Sequence, residues 1–201
     1  MSSQAGRAHP RGDLAAVVLA GGAGRRLGGV DKALLDLGGS TPLQRTLAAL
    51  THCHPVVIAG PRRATRHHIT WVQEDPPGGG PVAGIAAALS RIDDAATEWV
   101  AVLACDLPFM TSGTIDGLHA AAQDRDGATL VDADGRRQPL AAVYRLDTLR
   151  RALDALGDPH GTSMRALLAG LDLVELPDPG AESFDVDDPA DLAAARQRVQ
   201  A

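Results

Sequence analysis

Leu14-Ala15-Ala16-Val17-Val18-Leu19-Ala20-Gly21-Gly22-Ala23-Gly24-Arg25-Arg26-Leu27-Gly28-Gly29-Val30-Asp31-Lys32 is the segment from which the architecture can be worked out. Its first six residues are short and wholly apolar, as suits a strand buried on both faces. The strand then empties into five glycines, two arginines and a lysine. Glycine has no Cβ, so successive backbone N–H groups can converge on an anion. Arg25, Arg26 and Lys32 add the positive charge that a polyphosphate requires. Two commoner glycine loops are excluded by spacing. A Walker loop places Gly-Lys-Ser/Thr four residues after its first glycine, whereas Lys32 stands between Asp31 and Ala33. The dinucleotide fingerprint requires a third glycine where Leu27 falls. What remains is a nucleotide-binding turn of another kind, or a flexible surface loop.

Outward from this segment, strand-like and helix-like pieces alternate. Residues 55–59, 69–73, 99–104, 128–131, 141–144 and 171–176 read as further strands. Helices are predicted over 42–50, 81–89, from Thr111 or Ser112 to 123, and over 146–156, 164–168 and 189–199. Thr41-Pro42 and Asp188-Pro189 each pair a capping side chain with a proline in the first turn. Such alternation predicts a mainly parallel sheet with helices on both faces.

In open α/β sheets, ligands collect beyond the carboxyl ends of the strands. Three more polar clusters fall at such ends: Gln73-Glu74-Asp75-Pro76-Pro77-Gly78-Gly79-Gly80-Pro81-Val82-Ala83-Gly84, Cys105-Asp106-Leu107-Pro108, and Phe184-Asp185-Val186-Asp187-Asp188-Pro189. Asp106 follows an almost entirely apolar strand, where a carboxylate is costly unless a cation or hydrogen bonds compensate it. A magnesium ion accompanying a nucleotide supplies that cation, since Mg²⁺ takes one or two carboxylates and completes its shell with phosphate and water. The alternative, a cap for the helix near Thr111, is weakened by the five-residue separation. Asp185 and Asp187 alternate in an extended segment and so share a side. Either could complete the metal site, or both could belong to the acidic start of the following helix.

Bulk properties narrow the classes. With 201 residues, 45% of them hydrophobic, the chain suits one domain over 14–201 with residues 1–13 as a disordered tail. Only 2% of residues are aromatic, so the core must be aliphatic. The net charge of −6 and the lack of a basic tract argue against nucleic acid. Cys53 and Cys105 cannot form a disulfide framework, and His52-Cys53-His54 reads as a helix-to-strand connector rather than a zinc site. The first 13 residues lack the apolar run of a signal peptide, and no stretch approaches the length of a membrane span. A cytoplasmic protein without membrane contact is expected.

The runs LAGGAGRRLGGVDKALL, EDPPGGGPVAGI, LACDLPF and FDVDDPADL closely resemble those of molybdenum cofactor guanylyltransferases of the MobA type, within the wider Rossmann-like nucleotidyltransferase family. The likeness extends over about residues 14–199. It implies a three-layer α/β/α fold whose mixed, mostly parallel sheet has about seven strands, one of them antiparallel late in the chain. It implies GMP transfer from GTP to molybdopterin with Mg²⁺, releasing pyrophosphate. The same fold would also serve CTP, a sugar-phosphate or alcohol-phosphate acceptor, or a nucleotide-binding protein without turnover. Carried over by position, the backbone at Leu19, Ala20, Gly21 and Gly22 would hold the nucleotide, and Lys32 its phosphates. Arg25 and Arg26, from their own charge beside the glycine turn, would assist with pyrophosphate. Asp75, Gly80 and Gly84 would border the guanosine, and Asp106 would bind the metal; Asp187 as its second ligand is read from the alternation with Asp185 and not from the resemblance. Gln138 and Pro139 would face the second substrate. Transient contacts with proteins that deliver or accept the cofactor are also implied. This chain departs from some relatives in having Ala59-Gly60, not asparagine, after its second strand, and Asp185 and Asp187 in place of late asparagines.

Overall fold

The computed structural model describes residues 13–22, 29–65, 69–93, 95–178 and 180–200. Seven strands form one sheet: β1 (Leu14–Leu19), β2 (Val56–Ala59), β3 (Thr70–Val72), β4 (Trp99–Ala104), β5 (Gly127–Val131), β6 (Arg137–Arg145) and β7 (Leu173–Pro177), in the order β3-β2-β1-β4-β6-β5-β7. Every pairing is parallel except those of β6, which runs against both β4 and β5. Among the described residues six α-helices accompany them: α1 (Pro42–Ala49), α2 (Pro81–Leu89), α3 (Ser112–Ala121), α4 (Leu146–Leu156), α5 (Met164–Leu167) and, after the last strand, α6 (Pro189–Gln200). The expected α/β architecture is therefore present, with the sheet mixed as the resemblance implied.

Two-residue periodicity divides the central strands between two cores. Leu14, Ala16 and Val18 of β1 join Trp99, Ala101 and Leu103 of β4 against α1 and α3, through Leu43, Leu47, Ile115 and Leu118. Ala15 and Val17 join Val100 and Val102 against α2, α4 and α5, through Ile85, Leu89, Leu149 and Leu167. Helices thus cover both faces, which is why β1 and β4 could be apolar throughout. The caps act as read from sequence. The Thr41 side chain accepts from Gln44 N, and the Gln44 side chain returns the bond to Thr41 N. The carboxylate of Asp188 accepts from Ala190 N and Asp191 N at the start of α6.

One strand differs from expectation. β6 begins at Arg137, well before residues 141–144, because Arg137 and Gln138 pair with Val131 and Leu130 of β5 beyond an irregularity in the ladder. Thr129 pairs with Ala142 but Leu130 pairs with Gln138, so residues 139–141 bulge out of that ladder. Pro139 has no N–H to give a ladder, which suits it to a bulge. The Tyr144 hydroxyl donates to the Pro139 carbonyl at 2.8 Å and fixes the distortion from inside the core. The bulge matters because it turns residues 138–141 toward the carboxyl ends of β1 and β4.

Chain order leaves β1 toward β2 on one side and reaches β4 on the other, so the crevice between β1 and β4 is the switch point at which such sheets bind ligands. α6 frames it from beyond. Leu192, Ala195 and Val199 pack with Leu37, Val186, Phe109 and Phe184, and the Arg198 guanidinium lies 4.0 Å from the Phe109 ring centre.

Candidate active site

A cavity of about 790 Å³ opens at this switch point. Its lining comes from the exit of β1 (Leu19, Ala20, Gly21, Gly22), from Asp31 and Lys32, and from Ala59, Gly60 and Arg63 after β2. Glu74, Gly78, Gly80 and Gly84 supply another wall, Ala104, Cys105 and Asp106 a third, and Gln138 and Pro139 a fourth. The glycine exit and Asp106 are direct neighbours. Leu19 pairs with Ala104, and Cys105 N donates to Leu19 O at 3.0 Å.

The turn carrying Asp106 is held from below. The buried Thr46 hydroxyl donates to the carbonyls of Cys105 at 3.3 Å and Leu107 at 3.4 Å, and Arg45 Nε donates to Pro108 O at 2.8 Å. Asp106 does not cap α3, whose N-terminus is satisfied by the Thr111 hydroxyl accepting from Thr114 N. Its carboxylate instead faces Lys32 Nζ at 3.6 Å, and Lys32 also bonds Asp187. Val186 N donates to Asp106 O at 3.3 Å, so the segment 185–187 is tied to the same turn. Fully buried Val186 points into the α6 core while Asp185 lines the cavity and Asp187 meets Lys32, the alternation read from sequence.

The electrostatics are unbalanced. Burial pushes the Asp106 carboxyl above the usual carboxylate range; Lys32 draws it back, and Asp185 and Asp187 press it up again. Asp185 is likewise raised by burial and then by Asp187. Burial alone would lower the Lys32 ammonium, but its bond to Asp187 and the charges of Asp106 and Asp187 raise it overall. Three carboxylates around one ammonium leave two formal negative charges. Among the described residues, no group of three or more His, Cys, Asp or Glu side chains makes a ready metal cage. One or two carboxylates beside a cavity roomy enough for a polyphosphate fit magnesium, which relies on phosphate and water for its remaining positions.

Glycines shape the opposite wall. Gly80, at φ +88°, precedes α2 without a side-chain cap and lines the cavity together with Pro81, which brings no N–H to the first turn. A Cβ at Gly84 would stand 3.1 Å from Leu19 Cδ2, which shows how closely α2 approaches the exit of β1. Asp75 is exposed and outside the lining, whereas Glu74 lines the cavity and accepts from Gly78 N at 3.0 Å. Arg25 and Arg26 lie outside the described residues. Arg63 is a contributor that the sequence reading missed; its side chain is only 8% exposed and bonds both oxygens of Asp31.

The sequence profile of the MobA-like NTP transferase domain matches residues 16–176. Among curated proteins, a "Probable molybdenum cofactor guanylyltransferase" from Opitutus terrae is 39% identical over 143 residues, covering 69% of this chain and 70% of the relative. A "Molybdenum cofactor guanylyltransferase" from Nitrobacter hamburgensis is 34% identical over 148 residues, covering 68% and 71%. Among solved structures, molybdopterin-guanine dinucleotide biosynthesis protein A from Archaeoglobus fulgidus superimposes with a TM-score of 0.68 over 92% of this chain and 98% of that one, at 24% identity, a likeness of fold.

Proposed function

The chain belongs to the MobA-like NTP transferase family, and from that premise we propose that it is a molybdenum cofactor guanylyltransferase, moving GMP from GTP to the terminal phosphate of molybdopterin. The observation that carries this reading is the meeting of three elements in one cavity: the amide-rich exit of β1, Lys32, and the Asp106 turn. A phosphate oxygen of the acceptor would attack the α-phosphorus of GTP. The bond between the α-phosphorus and its bridging oxygen would break, and pyrophosphate would leave with the electron pair. The nucleophile is already anionic, so no strong general base is needed, and no Ser-His-Asp arrangement or glutamate pair is called for.

What this chain supplies is in-line positioning and neutralisation of charge. Magnesium, held by Asp106 with Asp187 or Asp185, would offset charge on the α-phosphate and on the departing pyrophosphate. The amides at residues 19–22 would cradle the phosphates, with Lys32 beside them, and Arg25 and Arg26 would steady the pyrophosphate. Asp75, Gly80 and Gly84 are assigned to the guanosine side, although the exposed Asp75 would have to act from the rim. Gln138 and Pro139, on the β6 bulge across the cavity, would meet molybdopterin. Residues 14–201 would act as a single nucleotidyltransferase domain that exchanges its product with cofactor-handling proteins. Among the described residues no helix is long and apolar enough to cross a membrane.

The test is pyrophosphate release from GTP, CTP, ATP and UTP, each with and without molybdopterin. Release with GTP that depends on molybdopterin is expected, and Asp106→Ala should lose at least ~100-fold in turnover. Lys32→Ala should weaken GTP binding. Release with CTP but not GTP would overturn the base assignment, and near-normal turnover of Asp106→Ala would overturn the metal site.

A further inference from the structure

We propose that Arg63 and Asp31 form a positioning pair that sets Lys32 and the β1 exit in register for the triphosphate, a role resting on the reading of this cavity as a nucleotide site. The two residues lie 32 positions apart and meet at the cavity wall. Arg63 Nε donates to Asp31 Oδ2 at 2.6 Å and Nη2 to Asp31 Oδ1 at 2.9 Å, a two-pronged contact that lysine cannot reproduce. Nη1 donates to the carbonyls of Ala20 at 2.9 Å and Pro61 at 3.1 Å.

One guanidinium therefore joins the exit of β1, the exit of β2 and the residue immediately before Lys32. Asp31 passes the constraint on. Its Oδ1 accepts from Ala33 N at 3.2 Å and its carbonyl from Leu34 N at 3.0 Å, so it opens the short 3₁₀ turn (Lys32–Leu34) from which Lys32 projects. The ammonium of Lys32 then reaches Asp106 and Asp187 on the far side of the site.

An arginine lining such a cavity would ordinarily be read as a direct phosphate ligand. Its hydrogen bonding argues otherwise. Of the five N–H donors of a guanidinium, four are engaged by groups of this chain. Its charge is also matched by the Asp31 carboxylate. The pair offers an incoming anion little net field but fixes the backbone that receives it.

This distinction gives a test with opposite signs. Were Arg63 acting by charge, Asp31→Asn would remove a competing negative group and tighten triphosphate binding. A positioning pair predicts weaker binding. Titration of a fluorescent N-methylanthraniloyl GTP in magnesium buffer should show Asp31→Asn and Arg63→Lys each binding roughly tenfold more weakly than the parent protein. Combining them should cost no more than either alone, since both break one contact. Asp31→Asn keeps the size of the side chain and an acceptor for Ala33 N, and so stands in where Arg63→Lys fails to fold. Melting temperatures measured in parallel separate the roles, because a mere strut lowers them while leaving the affinity of the folded protein unchanged. Equal or tighter binding by Asp31→Asn, unaltered affinity with only a lower melting temperature, or additive losses would each overturn the pair. Failure of the parent protein to bind the probe would overturn the nucleotide site, and the pair with it.

Discussion

Gly60→Ala should damage the site from behind, and the size of the effect can be worked from contacts. Gly60 follows β2 directly, at φ +141°, and its N–H donates to Val72 O at 2.8 Å. A Cβ built there stands 2.7 Å from both the carbonyl carbon and oxygen of Ala20, and 2.9 Å from Gly21 N. These are backbone atoms, so no rotamer change relieves the overlap. Either the β1 exit retreats or Gly60 abandons its conformation together with the tie to β3. A side chain at this φ costs about 1–3 kcal/mol, and the overlap about 1–3 kcal/mol more. One backbone shift relieves part of both, so the total is nearer about 2–4 kcal/mol than the full sum. For a chain of this length each kcal/mol moves the melting temperature by about 2–4 °C, which predicts a fall of roughly 5–15 °C.

The consequence for binding is more specific than the loss of stability. Ala20 and Gly21 line the cavity, so a displaced exit should also weaken the nucleotide. Ligand stabilisation grows with the logarithm of concentration over Kd; the rise in melting temperature on adding GTP and magnesium should therefore shrink. Gly157→Ala is the control. It also has positive φ, +75°, but a Cβ there meets nothing within 4 Å, so it carries the conformational cost alone and leaves the GTP response intact. A Gly60→Ala protein melting within about 2 °C of the parent, with the full GTP-induced rise, would refute the reasoning.

Two further outcomes are expected. Chelating divalent ions should weaken GTP binding by roughly tenfold, because three carboxylates against Lys32 would then repel the phosphates; Asp187→Asn should make that loss smaller, and calorimetric titration with and without chelator reads both, equal affinities counting against the site's charge balance. Burial pushes the thiols of Cys53 and Cys105 from an ordinary 9.0 up to about 12. The folded chain thus keeps protons that the unfolded chain releases, and stability that is complete below pH 9 should decline from there to about pH 12. Denaturant melts across that range should show a shallower decline in Cys53→Ala, and an unchanged slope would contradict the assignment.

Much of the fold was legible because its signals are local. α2 and α4 have the bounds read from sequence, since proline and three glycines open the first and a polar turn closes the second. β1 and β4 were legible because a central strand covered on both faces can be apolar at every position. β6 was cut short in the reading because its first half pairs irregularly, and only the tertiary partner, β5, reveals that Gln138 belongs to a strand. At the site, Asp106 was visible as a carboxylate closely following the apolar β4, Lys32 as a cation closing the glycine run, and Asp185 and Asp187 by their alternation.

Arg63 was invisible for the opposite reason. In sequence nothing separates it from Arg62, yet Arg62 is exposed while the Arg63 side chain is 8% exposed and bonded to residues 32 and 43 positions away. Gly60 hides in the same way, since its need for a bare Cα comes from Ala20, which only the sheet brings near. The division is physical. Charged groups and glycine turns that follow a strand show in one dimension. Groups that hold those residues in place owe their role to non-local contacts, which become visible only when β1 and β2 lie side by side. In this chain the phosphate-facing chemistry proposed for Lys32 and Asp106 belongs to the first kind. Its geometry, set where Ala20, Gly60, Asp31 and Arg63 meet, belongs to the second.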